Sequence, residues 1–275
     1  MERSVTTVLE LHQSFLGEYL LCPERARQQW FKEVEDLPTD STAIGTALHS
    51  FAEVILRDGS HGDAVSSAMA AWEYEKSLPG FRFVKVAKES TALKHIENAC
   101  DLWLARVYPQ LGHPLLVEYK FDFLFQELEI EGEHVEVRLA GAIDFADEEG
   151  LWDWKSASRM DKYTPGFGGE GWKLKRWGIQ PTVYCHAASL RGGIDSWSNF
   201  TFAAVSKTNR TVQYLFVERG PEHARWLLRL TANVARMIVA GPPEWPLNDQ
   251  HALCAPDWCP AYANCKGKAL AGDAE

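Results

Sequence analysis

The stretch from Gly141 to Lys155, GAIDFADEEGLWDWK, reads as a β-hairpin with ionisable groups where a hairpin tolerates them least. Val137 to Ala146 is largely apolar and β-forming, Glu148-Glu149-Gly150 is a turn, and Leu151 to Trp154 starts the return strand. Asp144 follows the apolar run Leu139 to Ile143. An ionised acid in such a strand is costly unless it is paired or bound to a metal. Asp153 lies on the return strand, and Lys155 points to the same face as Asp153 because strand side chains alternate. Two acids and an amine would pack badly against an apolar core. They make chemical sense if a divalent cation sits between the acids and the lysine holds an attacking water or a phosphate oxygen. The triplet Asp153-Trp154-Lys155 alone is a weak signal, since a surface salt bridge gives the same pattern. The setting of Asp144 is what favours a site.

A chain of 275 residues, 46% apolar and 24% charged, can bury an ample core. It contains no long apolar run, so no membrane span is expected. The first residues lack the basic-then-apolar layout of a secretion signal. The expected location is therefore cytoplasmic, where the six cysteines serve as metal ligands or buried thiols rather than disulfides. A net charge of −10 argues against a protein that coats nucleic acid without specificity. Positive charge is nevertheless concentrated locally. Lys155 to Arg176 holds six basic residues against Asp161 and Glu170.

Around the hairpin the periodicity predicts helices at Ser14–Leu21, Ser41–Leu56, Ala64–Ser77, Thr91–Val107, Trp177–Leu190 and Pro221–Ala240. Strands are predicted at Leu115–Leu124, Ser196–Ala204 and Thr211–Val217, with strand-like segments from Glu127 to Glu136. Ser41–Leu56 is the clearest helix, with Ile44, Ala47, Leu48, Phe51, Ala52, Ile55 and Leu56 forming a buried stripe. Gly45, His49 and Glu53 run beside it, and Gly45 hints at the close approach of another backbone or a substrate. Glu118 lies inside a predicted strand, and Gln180 and Tyr184 lie one turn apart on one helix face. Ser158 to Gly171 reads as a loop, either a lid or a long surface connection. This order of elements implies one α/β domain over 1–275 with a mixed central sheet. Its parts are a helical N-terminal portion (1–110), a core (111–218) and a C-terminal helix with a cysteine cluster (219–275).

That cluster is Cys254, Cys259 and Cys265, three cysteines within twelve residues. Such a group reads as a metal site wanting a fourth ligand, as in a Cys₄ zinc or an iron–sulfur cluster. Cys22, Cys100 and Cys185 are the distant thiols available. Cys22 is the best placed, at a helix start ahead of Pro23, while His251 as fourth ligand would favour zinc.

Four features thus occur in order: Cys22-Pro23, Gly45-x₃-His49-x₃-Glu53, Asp144 with Asp153-x-Lys155, and Gln180-x₃-Tyr184. Three C-terminal cysteines close the set. The set resembles the RecB-like branch of the PD-(D/E)XK nucleases. More narrowly it resembles iron–sulfur exonucleases that include the fourth CRISPR-associated Cas family and its phage-encoded relatives. The resemblance spans Ser14 to Cys265 and implies a restriction-endonuclease-like core. It implies that His49, Asp144, Asp153 and the Trp154 carbonyl hold Mn²⁺ or Mg²⁺, with Lys155 as catalytic lysine. Glu118 would be a further strand acid, and Gln180 and Tyr184 would support the site and DNA. Cys22, Cys254, Cys259 and Cys265 would hold a 4Fe–4S cluster, zinc being the alternative. In one respect the chain departs from the pattern: four residues rather than two separate Cys254 and Cys259. The implied function is a DNA exonuclease acting on single-stranded or frayed ends, with Trp152, Trp154, Trp172 and Trp177 available to stack on bases. A homo-oligomer or a DNA-processing complex would be compatible with it. The alternative reading is a catalytically weak or inactive DNA-binding or complex-forming module with a zinc-stabilised cysteine cluster.

Overall fold

The computed structural model describes residues 6–34, 37–158, 160, 177–191, 198–241, 245–248, 254–255, 259–262 and 265. In chain order these form β1 (Thr6–His12), α1 (Gln13–Leu21), α2 (Pro23–Trp30), α3 (Asp40–Leu56), α4 (His61–Ser77) and α5 (Glu89–Leu102). Then follow β2 (Leu116–Ile130), β3 (Glu133–Ala146), β4 (Leu151–Ala157), α6 (Ile179–Leu190), β5 (Asn199–Ser206), β6 (Val212–Glu218) and α7 (Pro221–Ala240). No helix among the described residues is long and apolar enough to cross a membrane.

The strands form one six-stranded mixed sheet in the order β1-β3-β4-β5-β6, with β2 on the other edge of β3. β1 pairs parallel to β3 and β4 parallel to β5; the remaining pairs are antiparallel. β3 is the organising strand. Its whole length pairs with β2, while its opposite edge is shared. β1 covers residues 134–140, and β4 meets β3 only at Phe145–Trp152 and Ala146–Leu151.

Helices cover both faces. α3, α4 and α5 pack with Phe145, Trp152, Trp154, Ala203 and Val205 on one side. α1, α6 and α7 pack with Val137, Leu139, Ile143, Phe200 and Phe202 on the other. α3 forms where its apolar stripe predicts. Thr39 caps it through a reciprocal hydrogen-bond box with Thr42, and the stripe is buried throughout except for a half-buried Ile55.

Three differences from the sequence reading have physical causes. The N-terminal portion is not purely helical, because β1 opens it. Only Leu9 and Leu11 of β1 are buried, too short an alternation to stand out, and pairing with β3 supplies the rest. The predicted strands on either side of residue 126 are one long β2 with a register shift between Leu124 and Gln126, followed by a tight turn at Glu131-Gly132. Both turn residues have positive φ (54° and 85°), as a two-residue hairpin requires. Thr91–Val107 is α5 extended by a π-helical turn, Trp103–Val107.

Candidate active site

β3 and β4 separate just beyond Trp152, and the site lies in the gap. Continuing their register places Asp144 across from Asp153. On the other edge of β3, the pairs Val117–Phe145 and Tyr119–Ile143 put Glu118 across from Asp144. Three acids therefore form a row across β2, β3 and β4. Asp144 and Asp153 are buried and Glu118 is half-buried. Glu118 takes φ 44°, a left-handed conformation that costs a non-glycine residue energy and recurs where a side chain is held for function.

Side chains reach this row from both helical layers. From α3, His49 Nε2 donates to the Trp154 carbonyl at 3.0 Å. Its Nδ1 then faces Asp144 Oδ2 at 3.4 Å and Glu118 Oε1 at 3.6 Å. From α6, Gln180 Nε2 donates to Asp153 Oδ1. Lys155 Nζ binds the same carboxylate, 2.8 Å from Oδ1 and 2.7 Å from Oδ2. Tyr184, one turn along α6 from Gln180, is buried against Phe121 and Phe200.

Crowded acids in a largely buried site shift their own protonation. Burial raises Asp144 to about 6; the charge of Asp153 adds to this, while His49 and Lys155 oppose it. Burial pulls His49 down, but Asp144, Glu118 and Asp153 outweigh it and raise the imidazole to about 10. Burial, then the charges of Asp153 and Asp144, push the Tyr184 phenol well above its usual range.

Donor atoms of His49, Glu118 and Asp144 lie within 4.8 Å of one another. Among the described residues, Glu118 Oε1 is buried with no hydrogen bond beside its 3.6 Å charge contact with His49, and Asp153 Oδ2 has no hydrogen bond beside its charge contact with Lys155. One imidazole and several carboxylate oxygens, partly unsatisfied, fit a divalent cation such as Mg²⁺ or Mn²⁺. The Trp154 carbonyl accepts from His49 and retains a second lone pair.

Other sequence candidates sit elsewhere. A Cβ on Gly45 would lie 3.7 Å from Ser156 Oγ, an ordinary contact, so no close approach demands a glycine there. Glu53 pairs with Arg57 at 2.9 Å. Trp154 is wholly buried against Trp103 and Phe145, and Trp152 is also in the core, so neither is open to a base. Trp177 packs on Phe202. Trp172, most of the Ser158–Gly171 loop and His251 lie outside the described residues.

The chain ends meet on α1 and α2. The Trp245 N–H donates to Glu24 at 2.8 Å, Asn248 donates to the Leu21 carbonyl at 2.8 Å, and the Glu24 N–H donates to the Pro246 carbonyl at 3.2 Å. Burial raises the Cys259 thiol, and Cys22 and Cys265 are near enough to raise it further. Cys259 shares a small apolar cluster with Cys254 and Val34. Cys100 and Cys185, by contrast, are buried thiols that burial pushes up to about 12.

The sequence model of the PD-(D/E)XK nuclease superfamily matches residues 11–266. A solved structure from Eubacterium rectale, provisionally assigned as an exonuclease, resembles the chain at 12% identity and a TM-score of 0.54. The match covers 89% of this chain and 86% of that one. At this identity the likeness is one of fold. The protein SSO0001 aligns over 91% of this chain and 96% of its own at 14% identity, but its TM-score of 0.37 carries no argument. A search of curated proteins found no match.

Proposed function

The chain belongs to the PD-(D/E)XK nuclease superfamily, and we propose that it is a divalent-metal-dependent DNA exonuclease, hydrolysing phosphodiester bonds from free ends. The observation that carries this reading is the row Glu118, Asp144 and Asp153 with Lys155 ion-paired at its end. His49, Glu118, Asp144 and Asp153 would hold the cation. A bound Mg²⁺ or Mn²⁺ would polarise the scissile phosphate and lower the pKa of the attacking water.

The chain's own groups have separable tasks. Asp153 and the stem of Lys155 hold the ammonium at the edge of the acid row, where it offsets charge that develops on the phosphate oxygens. Gln180 fixes the Asp153 carboxylate, and Tyr184 stands one turn further along the same helix. His49 is oriented by its bond to the Trp154 carbonyl, so that Nδ1 faces the acids.

The second part of the proposal is a structural 4Fe–4S cluster on Cys22, Cys254, Cys259 and Cys265. Its support is that the C-terminal segment docks on Glu24, two residues past Cys22, and that Cys254 and Cys259 share one apolar cluster. Cytoplasmic placement suits such a cluster.

The test is to incubate anaerobically purified protein and Mn²⁺ with end-labelled linear DNA and with covalently closed single-stranded circles. Loss of label from linear DNA with intact circles is expected. Rapid digestion of circles would refute the requirement for an end. No cleavage of any DNA would refute the enzyme and favour an inactive binding module.

A further inference from the structure

A cleft of about 630 Å³ runs along the outer edge of β2. Among the described residues β2 pairs with β3 alone, so this is an open sheet edge apart from the Arg57 bond to the Val117 carbonyl. The cleft passes from Glu53 and Arg57 near the end of α3, along Glu118, Tyr119 and Lys120, to Arg191 just past α6. It thus crosses from one helical layer to the other at the level of the acid row, and Glu118 belongs to both.

Its chemistry is unlike that of the chain as a whole, whose net charge is −10. Three cations line it: Arg57, Lys120 and Arg191, all exposed. Against them stand Glu53, which pairs with Arg57 at 2.9 Å, and Glu118, so the lining keeps a net positive charge in a chain that is acidic overall. Arg57 also donates to the Val117 carbonyl at 3.0 Å, which fixes its guanidinium on the β2 edge. The Arg191 guanidinium lies over the Tyr119 ring, 4.4 Å from its centroid. Such a layered pair presents a flat cationic surface on which a nucleobase can stack. Charges alternating with a stacking surface match a single strand, in which phosphates alternate with exposed bases. A duplex keeps its bases stacked on one another and could not use that surface.

We infer that this cleft is a single-stranded DNA track leading to the acid row. Arg57 and Lys120 contact phosphates, and Arg191, laid on Tyr119, carries a base. The assignment rests on the nuclease reading and specifies which strand form the site receives and from which side.

The test uses steady-state cleavage of linear single-stranded DNA by the full chain with Mn²⁺. It is paired with fluorescence-anisotropy titrations of the same DNA on an Asp153→Asn background. The triple variant Arg57→Ala, Lys120→Ala, Arg191→Ala should raise KM at least about tenfold while leaving kcat within about twofold. The slope of log Kd against log salt should fall by about 2, at about 0.7 for each charge removed. Arg191→Lys alone should keep the wild-type salt slope but still raise KM, because the charge stays without the planar face. Lys94→Ala, outside the cleft, should change neither. Should the triple variant fold poorly by circular dichroism, Lys120→Glu, at an exposed strand-edge position, carries the same test alone. Unchanged KM and salt slope in a folded variant, with wild-type protein cleaving normally, would overturn the track alone. Wild-type protein that cleaves no DNA would overturn the nuclease reading and the track with it.

Discussion

Asp144 Oδ2 accepts the backbone N–H of Trp154 at 3.2 Å, at the point where β3 stops pairing with β4. The Trp154 carbonyl is taken by His49 in the same way. Two side chains of the candidate site thus satisfy the backbone groups that β3 would otherwise have satisfied. The gap between the strands costs no orphaned donor or acceptor at Trp154, and it opens the sheet to chemistry.

This double duty separates structure from catalysis at Asp144. Asp144→Asn keeps an oxygen for the Trp154 N–H but removes the charge. Cleavage should fall by more than about a thousandfold, as expected when a charged group acting on the transition state is lost. Metal-free thermal stability should hold or rise, because burial and Asp153 already push this carboxyl up to about 6. The rise in Tm on adding Mn²⁺ should shrink with the loss of a ligand. Nuclease assays and melts with and without chelator check all three, and a large metal-free destabilisation would assign Asp144 to the fold instead.

Asp153→Ala and Lys155→Ala should each abolish cleavage and leave the circular dichroism unchanged. Gln180→Leu should act more gently, lowering kcat about 10- to 100-fold with little change in KM, since it only orients Asp153. Normal turnover by Asp153→Ala would remove the site assignment.

The metal-free site should also make stability depend on pH. Asp144 rises to about 6 and His49 to about 10, so both groups hold protons more tightly in the folded state. Stability from Asp144 is present below its unfolded pKa of about 4 and is lost as pH rises through about 6. Stability from His49 is present below about 6.5 and is lost as pH rises through about 10. In chelator, Tm should therefore decline between pH 5 and pH 9, taken as about the window these shifts define. Saturating Mn²⁺ should flatten or reverse the decline, because the cation competes with those protons. Melts across that range, with and without Mn²⁺, decide the matter. His49→Ala should remove the upper part of the dependence and raise the Mn²⁺ needed for activity.

At the chain junction, Glu24 accepts from Trp245 N–H, Gln28 and both sides of the Arg27 guanidinium. Burial pushes this acid up, but those bonds outweigh it and hold its pKa below the usual value. A lowered acid stabilises above its unfolded pKa and loses that contribution as pH falls. Glu24→Leu should cost about 1–3 kcal/mol at neutral pH by leaving buried donors unpaired, with a smaller cost in acid. Chemical denaturation at both pH values measures the difference.

The hairpin, the α3 stripe and the identities of the acids were legible in the sequence because each is a local pattern. An acid in an apolar strand, a 3–4 spacing and a turn between β-forming runs need no long-range partner to be seen. β1 was missed because its two buried leucines gain meaning only against β3. The separation of β3 from β4 was also invisible, since the sequence on both strands continues to read as strand. His49 illustrates the limit most directly. Its spacing on α3 places it beside the core stripe, but only the fold brings its Nδ1 against Glu118 and Asp144, far along the chain. The Arg191–Tyr119 pair had no sequence signal, because the two residues come from a helix end and a distant strand.

The cysteines offer the sharpest separation of readings. Cys22 lies at the start of α2, on which the C-terminal segment that leads to Cys254, Cys259 and Cys265 docks through Glu24. A cluster shared among them closes a loop of most of the chain, and closing long loops restricts the unfolded state most in the entropic account. Metal binding confined to the folded state adds directly to folding free energy. The cluster should therefore support stability rather than cleavage chemistry. Cys22→Ser, Cys254→Ser, Cys259→Ser and Cys265→Ser should each lose iron, acid-labile sulfide and colour, and should melt earlier. Cys100→Ser and Cys185→Ser should keep both metals and colour, because their thiols are buried and held protonated at neutral pH. A colourless, zinc-containing protein after anaerobic purification would replace iron–sulfur with a zinc site. Full colour in Cys22→Ser would detach the N-terminal end from the cluster, leaving the bonds of Glu24 and Leu21 to hold the C-terminal segment on α1 and α2.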